Sequence, residues 1–210
     1  MDGLLLNLVG GIPLVTRIWA LGTVALSVLT ATGIVEKTAT LYTYDLVFKK
    51  GQYYRLFYAL FDYGGFSWAS IFYIVISVNH LSSLESSFTR RSRFLWLCLF
   101  LFSSIVATSK YVQPLDSLGL ILHENLVYYM VRKDLSANVR NVGGFSFISL
   151  LIPLYSNFAT YISYQCSLKQ VSLNFLPGHI AYFFDKVLGK IYGIDFGKPP
   201  TDLIWGNNEE

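Results

Sequence analysis

The chain has 210 residues, of which 53% are hydrophobic, 17% aromatic and only 14% charged, with a formal net charge of +3 and a mean hydropathy of +0.47. A soluble domain carries roughly a quarter charged residues, so there is too little polar material here to cover a water-facing surface, and the small charge excludes a nucleic-acid footprint. Several apolar runs approach the ~20 residues that cross a bilayer, which predicts an all-α integral membrane protein.

Six membrane segments are predicted, Leu14–Val35, Gly65–Leu84, Phe94–Tyr111, Ser117–Val131, Phe145–Tyr164 and Val171–Leu188, forming one domain over residues 1–210. The N-terminus opens with Asp2 rather than a basic region, and no small-residue cleavage pattern closes the first run, so that run is expected to stay in the mature protein. The connection from Glu36 to about Gly64 is long, and apolar enough around Tyr53–Phe61 to be a structured, partly embedded loop. Its aromatics, Tyr53, Tyr54, Phe57, Tyr58, Phe61 and Tyr63, offer a surface either to the lipid interface or to an extended substrate.

Three segments are too short or too polar to span comfortably. The second ends with Asn79 and His80, the fourth holds His123, Glu124 and Asn125, and the sixth contains Asn174, Pro177 and His179. Ionisable and polar groups at membrane depth face a protein interior or a wet cavity, and short helices thin the bilayer around them. These side chains either line a polar groove or serve as hydrogen-bonded packing between helices.

Basic residues set the orientation. Arg90, Arg91 and Arg93 mark the second connection and Arg132, Lys133 and Arg140 the fourth, whereas the third has only Lys110 and the fifth only Lys169. Even-numbered connections then face the cytosol, together with both termini. The first connection dissents mildly, with Lys37, Lys49, Lys50 and Arg55, but an embedded loop weakens charge counting. Cys98 and Cys166 read as thiols packed as small hydrophobes rather than as a disulfide framework. The chain has no Asn-x-Ser/Thr sequon.

Enzyme chemistry is tested next. His123-Glu124 begins like a zinc-binding helix, but the second histidine that must follow four residues later is Val127. No metal and no cofactor are expected. Serine hydrolysis needs a nucleophile beside a base, with oxyanion donors nearby. His179 offers the base and Asn79 or His80 the donors. The nucleophile should follow Gly119 in a Gly-x-Ser-Gly setting, but the residues there are Leu120-Ile121-Leu122, and Ile121 has no proton to give up. No catalytic residues are assigned.

Ile12-Pro13-Leu14-Val15-Thr16-Arg17-Ile18-Trp19, Leu84-Glu85-Ser86-Ser87-Phe88 and Asn125-Leu126-Val127-Tyr128-Tyr129 with Arg132-Lys133 resemble, in turn, the entry segment, the turn after the second helix and the end of the fourth helix of the derlins. These are rhomboid-like pseudoproteases of the endoplasmic reticulum, and the resemblance covers nearly the whole chain. Gly178-His179-Ile180-Ala181-Tyr182 with Asp185 matches the sixth helix, and Tyr44 to Gly51 resembles the short fungal branch that works on luminal substrates. Two departures stand out. Tyr54-Arg55 replaces the family's Trp-Arg, keeping an aromatic and a charge for anchoring. Asn174 replaces the first glycine of a Gly-x-x-x-Gly that ends at Gly178, which puts close backbone packing in doubt but leaves an amide to bond across the gap.

The resemblance implies a six-helix rhomboid-like bundle in the endoplasmic reticulum membrane, multi-pass, both termini cytosolic. It implies a non-catalytic part in ER-associated degradation, helping misfolded luminal polypeptides cross the membrane through a polar groove and thinned bilayer. The implied partners are a multi-spanning RING ubiquitin ligase with its membrane and luminal adaptors. The residues after Gly197 contain no glycine-rich docking box, so a cytosolic AAA unfoldase is expected to be reached only through those partners. Three other readings compete. An active intramembrane protease would need an unusual serine such as Ser117. A small-solute transporter would show an internal repeat, and none is evident between the halves. A structural or recruitment subunit of the ligase complex would never touch substrate.

Overall fold

The computed structural model describes residues 10–114, 117–133, 140–142, 145–147, 157–158, 161–162, 165–193 and 197–200. The chain divides into two compact units, one of residues 1–95 with 116–123 and the other of residues 96–115 with 124–210. Their order is α1 (Leu14–Ala31), α2 (Lys37–Thr40), a π-helical turn (Asp45–Lys49), α3 (Tyr54–Phe61), α4 (Trp68–Ser86), α5 (Arg91–Thr108), α6 (Leu118–Lys133), β1 (Arg140–Val142), β2 (Phe145–Phe147), α7 (Leu168–Ser172), α8 (Leu176–Tyr182), a second π-helical turn (Phe183–Leu188) and α9 (Gly189–Tyr192).

In the first unit, helix α1 starts after Pro13, whose fixed φ suits an entry position, and ends where Gly33 turns left-handed at φ 75°. That turn stops the helix at Ala31, short of the predicted Val35. Polarity along α1 is the reverse of a soluble helix. Thr16 and Thr23, at 1% and 0% exposure, face inward with Ser27, while Ile18 and Leu21 are 59% and 61% exposed and lie on the outer side with Val24 and Val28. Helix α4 shares this only in part, burying Ser70 and Ser77 alongside Ile74, Leu81 and Leu84 and exposing Trp68, Phe72, Tyr73 and Val75 as well as Asn79. An outward apolar face of this extent suits hydrocarbon rather than water. Helices α1 and α5, each 18 residues, are apolar and long enough to cross a membrane by length and composition, and with only 22% of each span buried neither is a core helix.

Helices α1 and α4 are clasped at one end by Glu85. Its carboxylate accepts the backbone N–H groups of Val15 (3.1 Å) and Thr16 (2.8 Å) and the Thr16 hydroxyl (2.8 Å). The first N–H groups of a helix have no partner within it, and its positive end favours an acidic group. The last turn of α4 therefore caps the first turn of α1. Arg17 reaches back to the carbonyls of Gly10 (3.0 Å) and Ile12 (2.8 Å), fixing the chain's approach to that turn.

In the second unit, Leu101 and Ile105 of α5 are buried, as are Leu126, Tyr129 and Leu173. The predicted single segment Val171–Leu188 is broken into α7, α8 and a π-helical turn. Pro177 lacks the N–H that would bond the carbonyl of Leu173 one turn earlier, so the helix cannot run through. The predicted segment Phe145–Tyr164 begins as strand, because Phe145–Phe147 pairs antiparallel with Arg140–Val142. This hairpin departs from the all-α expectation. Most of the rest of that segment lies outside the described residues.

Candidate functional site

The first loop is held by Arg55. Its Nη1 donates to the carbonyls of Thr38 and Leu41 (3.0 Å to the latter), its Nε donates to Gln52 Oε1 at 2.6 Å, and its guanidinium lies 5.6 Å from the Tyr54 ring centre. One planar fork thus ties α3 to the end of α2, a task suited to guanidinium geometry rather than to a lysine. Beyond it, Tyr54, Phe57, Tyr58 and Phe61 make a string of ring contacts 4.9–6.3 Å apart, and Tyr53, Tyr54 and Phe57 are exposed.

Two glycines let this loop dock. A Cβ on Gly119 would lie 2.2 Å from the carbonyl oxygen of Leu60, so the end of α3 meets the start of α6 backbone to backbone. A Cβ on Gly22 would lie 2.6 Å from the Phe61 ring. Tyr63 donates to the Gly119 carbonyl at 3.2 Å and stacks edge-on against Trp19 at 4.9 Å. Ser117, the unusual nucleophile considered above, donates its hydroxyl proton to the Asp62 carbonyl at 2.5 Å while its oxygen caps the Leu120 N–H at 3.3 Å. It ends the loop and begins α6. Ile121 is buried, 1% exposed, in the helix that follows.

Of the polar residues on α4 and α6 in this unit, His80 and His123 come together. Their rings lie nearly parallel, 13° apart, with His80 Nδ1 3.3 Å from His123 Nε2. Both are partly buried, whereas Asn79, the residue before His80 on α4, is exposed. Among the described residues no three His, Cys, Asp or Glu side chains gather as a metal would require.

In the second unit α6 engages α8 and the turn after it. Asn125 is fully buried; its Nδ2 donates to the Leu173 carbonyl at 3.0 Å and its Oδ1 accepts the Gly178 N–H at 2.7 Å. Leu173 is the carbonyl that Pro177 leaves without a donor, so the Asn125 amide replaces a missing backbone bond across the break. The amide expected to bridge this gap was that of Asn174; the bridge comes instead from the neighbouring helix, with Asn174 buried in the break. Close backbone packing is present at Gly178, where a Cβ would sit 2.6 Å from the Asn125 carbonyl oxygen. A single glycine suffices, because the close approach is to α6 at this one position.

His179 is exposed, and its Nδ1 lies 2.8 Å from the Tyr128 hydroxyl. Arg132 Nε donates to that same hydroxyl oxygen at 3.1 Å, and its guanidinium stacks 5.6 Å from the Tyr128 ring centre. A guanidinium can only donate, so the Tyr128 oxygen accepts from Arg132, while the direction of its bond with His179 Nδ1 follows the histidine tautomer. Tyr129 is buried and its hydroxyl donates to Asp185, which also pairs with Lys186 at 3.1 Å. Glu124 is half-buried on α6.

Glu85, Tyr128 and Tyr129 stand in motifs that assign them no role, Arg132 reads from sequence only as a mark of orientation, and Gly22 carries no expectation. The signal for Gly22 was available: a lone glycine inside a long apolar helix marks a close approach.

Helices with polar inner and apolar outer faces, an amphipathic loop docked by glycines, and a last helix broken and repaired by a buried amide define a membrane-embedded helical protein. A model of the Der1-like family matches residues 12–201, and the chain belongs to that family. It is similar to "Degradation in the endoplasmic reticulum protein 1" of Saccharomyces cerevisiae, 47% identical over 211 residues, covering 100% of this chain and 99% of that protein. It is also similar to "Probable derlin-2 homolog" of Dictyostelium discoideum, 26% identical over 182 residues, 83% of this chain and 71% of that one.

Proposed function

We propose that this chain is a non-catalytic, multi-pass component of ER-associated degradation, with both termini cytosolic and a six-helix rhomboid-like bundle formed over the whole chain. It would ease misfolded luminal polypeptides across the membrane beside a RING ubiquitin ligase and its adaptors, reaching a cytosolic AAA unfoldase through them. Membership of the Der1-like family supports the process, as does the 47% identity to a protein named for degradation in the endoplasmic reticulum.

The observation that supports the mechanism is the contact of His80 with His123, two polar side chains joined between α4, whose exposed side carries Trp68, Phe72, Tyr73 and Val75, and α6. A polypeptide crossing hydrocarbon leaves backbone groups unsatisfied at several kcal/mol each. Polar side chains along its path lower that barrier without breaking a bond. His179 is engaged by the Tyr128 hydroxyl and the Ser117 hydroxyl by the Asp62 carbonyl, which supports a role outside hydrolysis.

A photocrosslinker placed at position 79 or 123 tests the path. Adducts with a misfolded luminal glycoprotein in transit are expected. Adducts with ligase or lipid alone would favour a scaffold subunit that never touches substrate. In the matching degradation assay, Arg55→Ala is expected to slow turnover at least fivefold and more than His179→Ala does. A His179→Ala protein that stays folded at its normal level yet loses all turnover would overturn the non-catalytic reading.

A further inference from the structure

We propose that Arg132 and His179, held on either side of the Tyr128 hydroxyl, form a binding site for a phosphate group, with the phosphomonoester of an anionic lipid as its favoured source.

The argument starts from hydrogen-bond direction. The Tyr128 hydroxyl accepts from Arg132 Nε at 3.1 Å and is hydrogen-bonded to His179 Nδ1 at 2.8 Å, so it is used on both sides. The Nη groups of Arg132, and the Nε2 of His179, which carries the ring proton when Tyr128 donates to Nδ1, are the donors this arrangement leaves for a ligand. Two donors fixed on one hydroxyl oxygen present a short, rigid span that matches two oxygens of one tetrahedral oxyanion. Arg132 is held in place twice, by its Nε bond and by stacking on the Tyr128 ring, so little side-chain freedom is lost on binding.

Charge balance points the same way. Among the described residues no carboxylate pairs with Arg132. The acidic group nearest in sequence to His179, Asp185, is already engaged by the Tyr129 hydroxyl and by Lys186. The half-buried guanidinium thus has no acidic partner among the described residues, an arrangement that favours an arriving anion. The surroundings choose the source. His179 lies on α8, which exposes Leu176, and the following turn exposes Phe183 and Phe184. Apolar side chains beside a donor pair match a headgroup with acyl chains attached, and basic pockets between membrane helices are known lipid-headgroup sites. The site lies wholly in the second unit and requires nothing of the degradation role proposed above.

The test uses the full chain reconstituted in phosphatidylcholine vesicles containing one-tenth phosphatidic acid, with lipids retained on the released protein counted by native mass spectrometry. Wild type is expected to enrich phosphatidic acid about tenfold over its bulk share. Arg132→Gln should abolish the enrichment, and Tyr128→Phe, which keeps ring and charge but loses the central hydroxyl, should reduce it about threefold. Arg91→Gln, at an exposed position on α5, should retain it. A second arm raises inorganic phosphate in detergent and follows the unfolding temperature. Protection of wild type but not of Arg132→Gln, without lipid enrichment, would assign the site to soluble phosphate. Enrichment that survives both Arg132→Gln and Tyr128→Phe, or neither enrichment nor protection in wild type, would overturn the proposal. A folded Tyr128→Phe protein keeps the result interpretable if Arg132→Gln is unstable.

Discussion

In the first unit the joints form where backbone meets backbone or where a charged group meets a helix end: Leu60 against Gly119, and Glu85 against the first turn of α1. In the second unit the principal joint is a side chain standing in for backbone, with the Asn125 amide filling the donor that Pro177 lacks. The contrast matters because the two kinds fail differently. A backbone approach tolerates no added atom, so its failure is steric and abrupt. A side-chain bridge tolerates substitution but leaves polar groups unsatisfied in a dry place, so its failure is graded and chemical.

The sharpest way to break the first kind is Gly119→Val. Its Cβ would meet the Leu60 carbonyl oxygen at 2.2 Å, and neither partner is a side chain able to swing away. Loss of about 4 kcal/mol or more is expected, read as failure to accumulate folded protein or as a collapsed unfolding midpoint in detergent. Gly22→Ala is the control within the same unit. Its clash is with the edge of the Phe61 ring, which can rotate, so a much smaller loss is expected. Equal losses at the two positions would show that backbone contact is not what makes Gly119 special.

Asn125→Ala breaks the second kind. It leaves the Leu173 carbonyl and the Gly178 N–H without their buried partner, at about 1–3 kcal/mol per group, for an expected total of about 3 kcal/mol by equilibrium unfolding. Asn125→Asp keeps the acceptor for Gly178 and loses the donor for Leu173, so an intermediate loss separates the two bonds.

These sites show how far the amino-acid pattern carries. Helices α1, α4, α5 and α6 were legible to within a few residues, because an apolar run long enough to span is a local property. The aromatic loop was legible for the same reason, as Tyr53 to Phe61 are contiguous. The break in the last segment was half legible: Pro177 announced a lost donor, but the group that replaces it lies 48 residues from Leu173 on another helix. No local pattern marks Asn125 as that group. Read alone it was a polar residue at membrane depth, equally suited to lining a groove. Glu85 was hidden likewise, since its partners Val15 and Thr16 are 70 and 69 residues away.

Glu85→Gln probes the charged joint more gently. The amide retains one acceptor oxygen but loses the second and the charge facing the α1 terminus. A cost of about 1–2 kcal/mol is expected, read as a lower unfolding midpoint. Glu85→Ala should cost more, because both N–H groups and the Thr16 hydroxyl then lose their shared acceptor. If Gln and Ala were equivalent, the hydrogen bonds rather than the charge would be irrelevant, and α1 would have to be capped by other means.

The smallest effect discriminates best between the two kinds of joint. Pro177→Ala returns an N–H to position 177, where a continuous helix would donate it to the Leu173 carbonyl. Alone, this change is expected to shift stability by less than about 1 kcal/mol, since the Asn125 amide already satisfies that carbonyl and the lost proline rigidity offsets part of any gain. Combined with Asn125→Ala it should matter more. The restored donor would take over the orphaned carbonyl, and the cost of Asn125→Ala should fall by about 1 kcal/mol in the Pro177→Ala background. That coupling is the signature of a side chain substituting for backbone. Strict additivity would mean that α7 and α8 are separate helices for a reason other than the missing donor, and that Asn125 binds a break it does not repair.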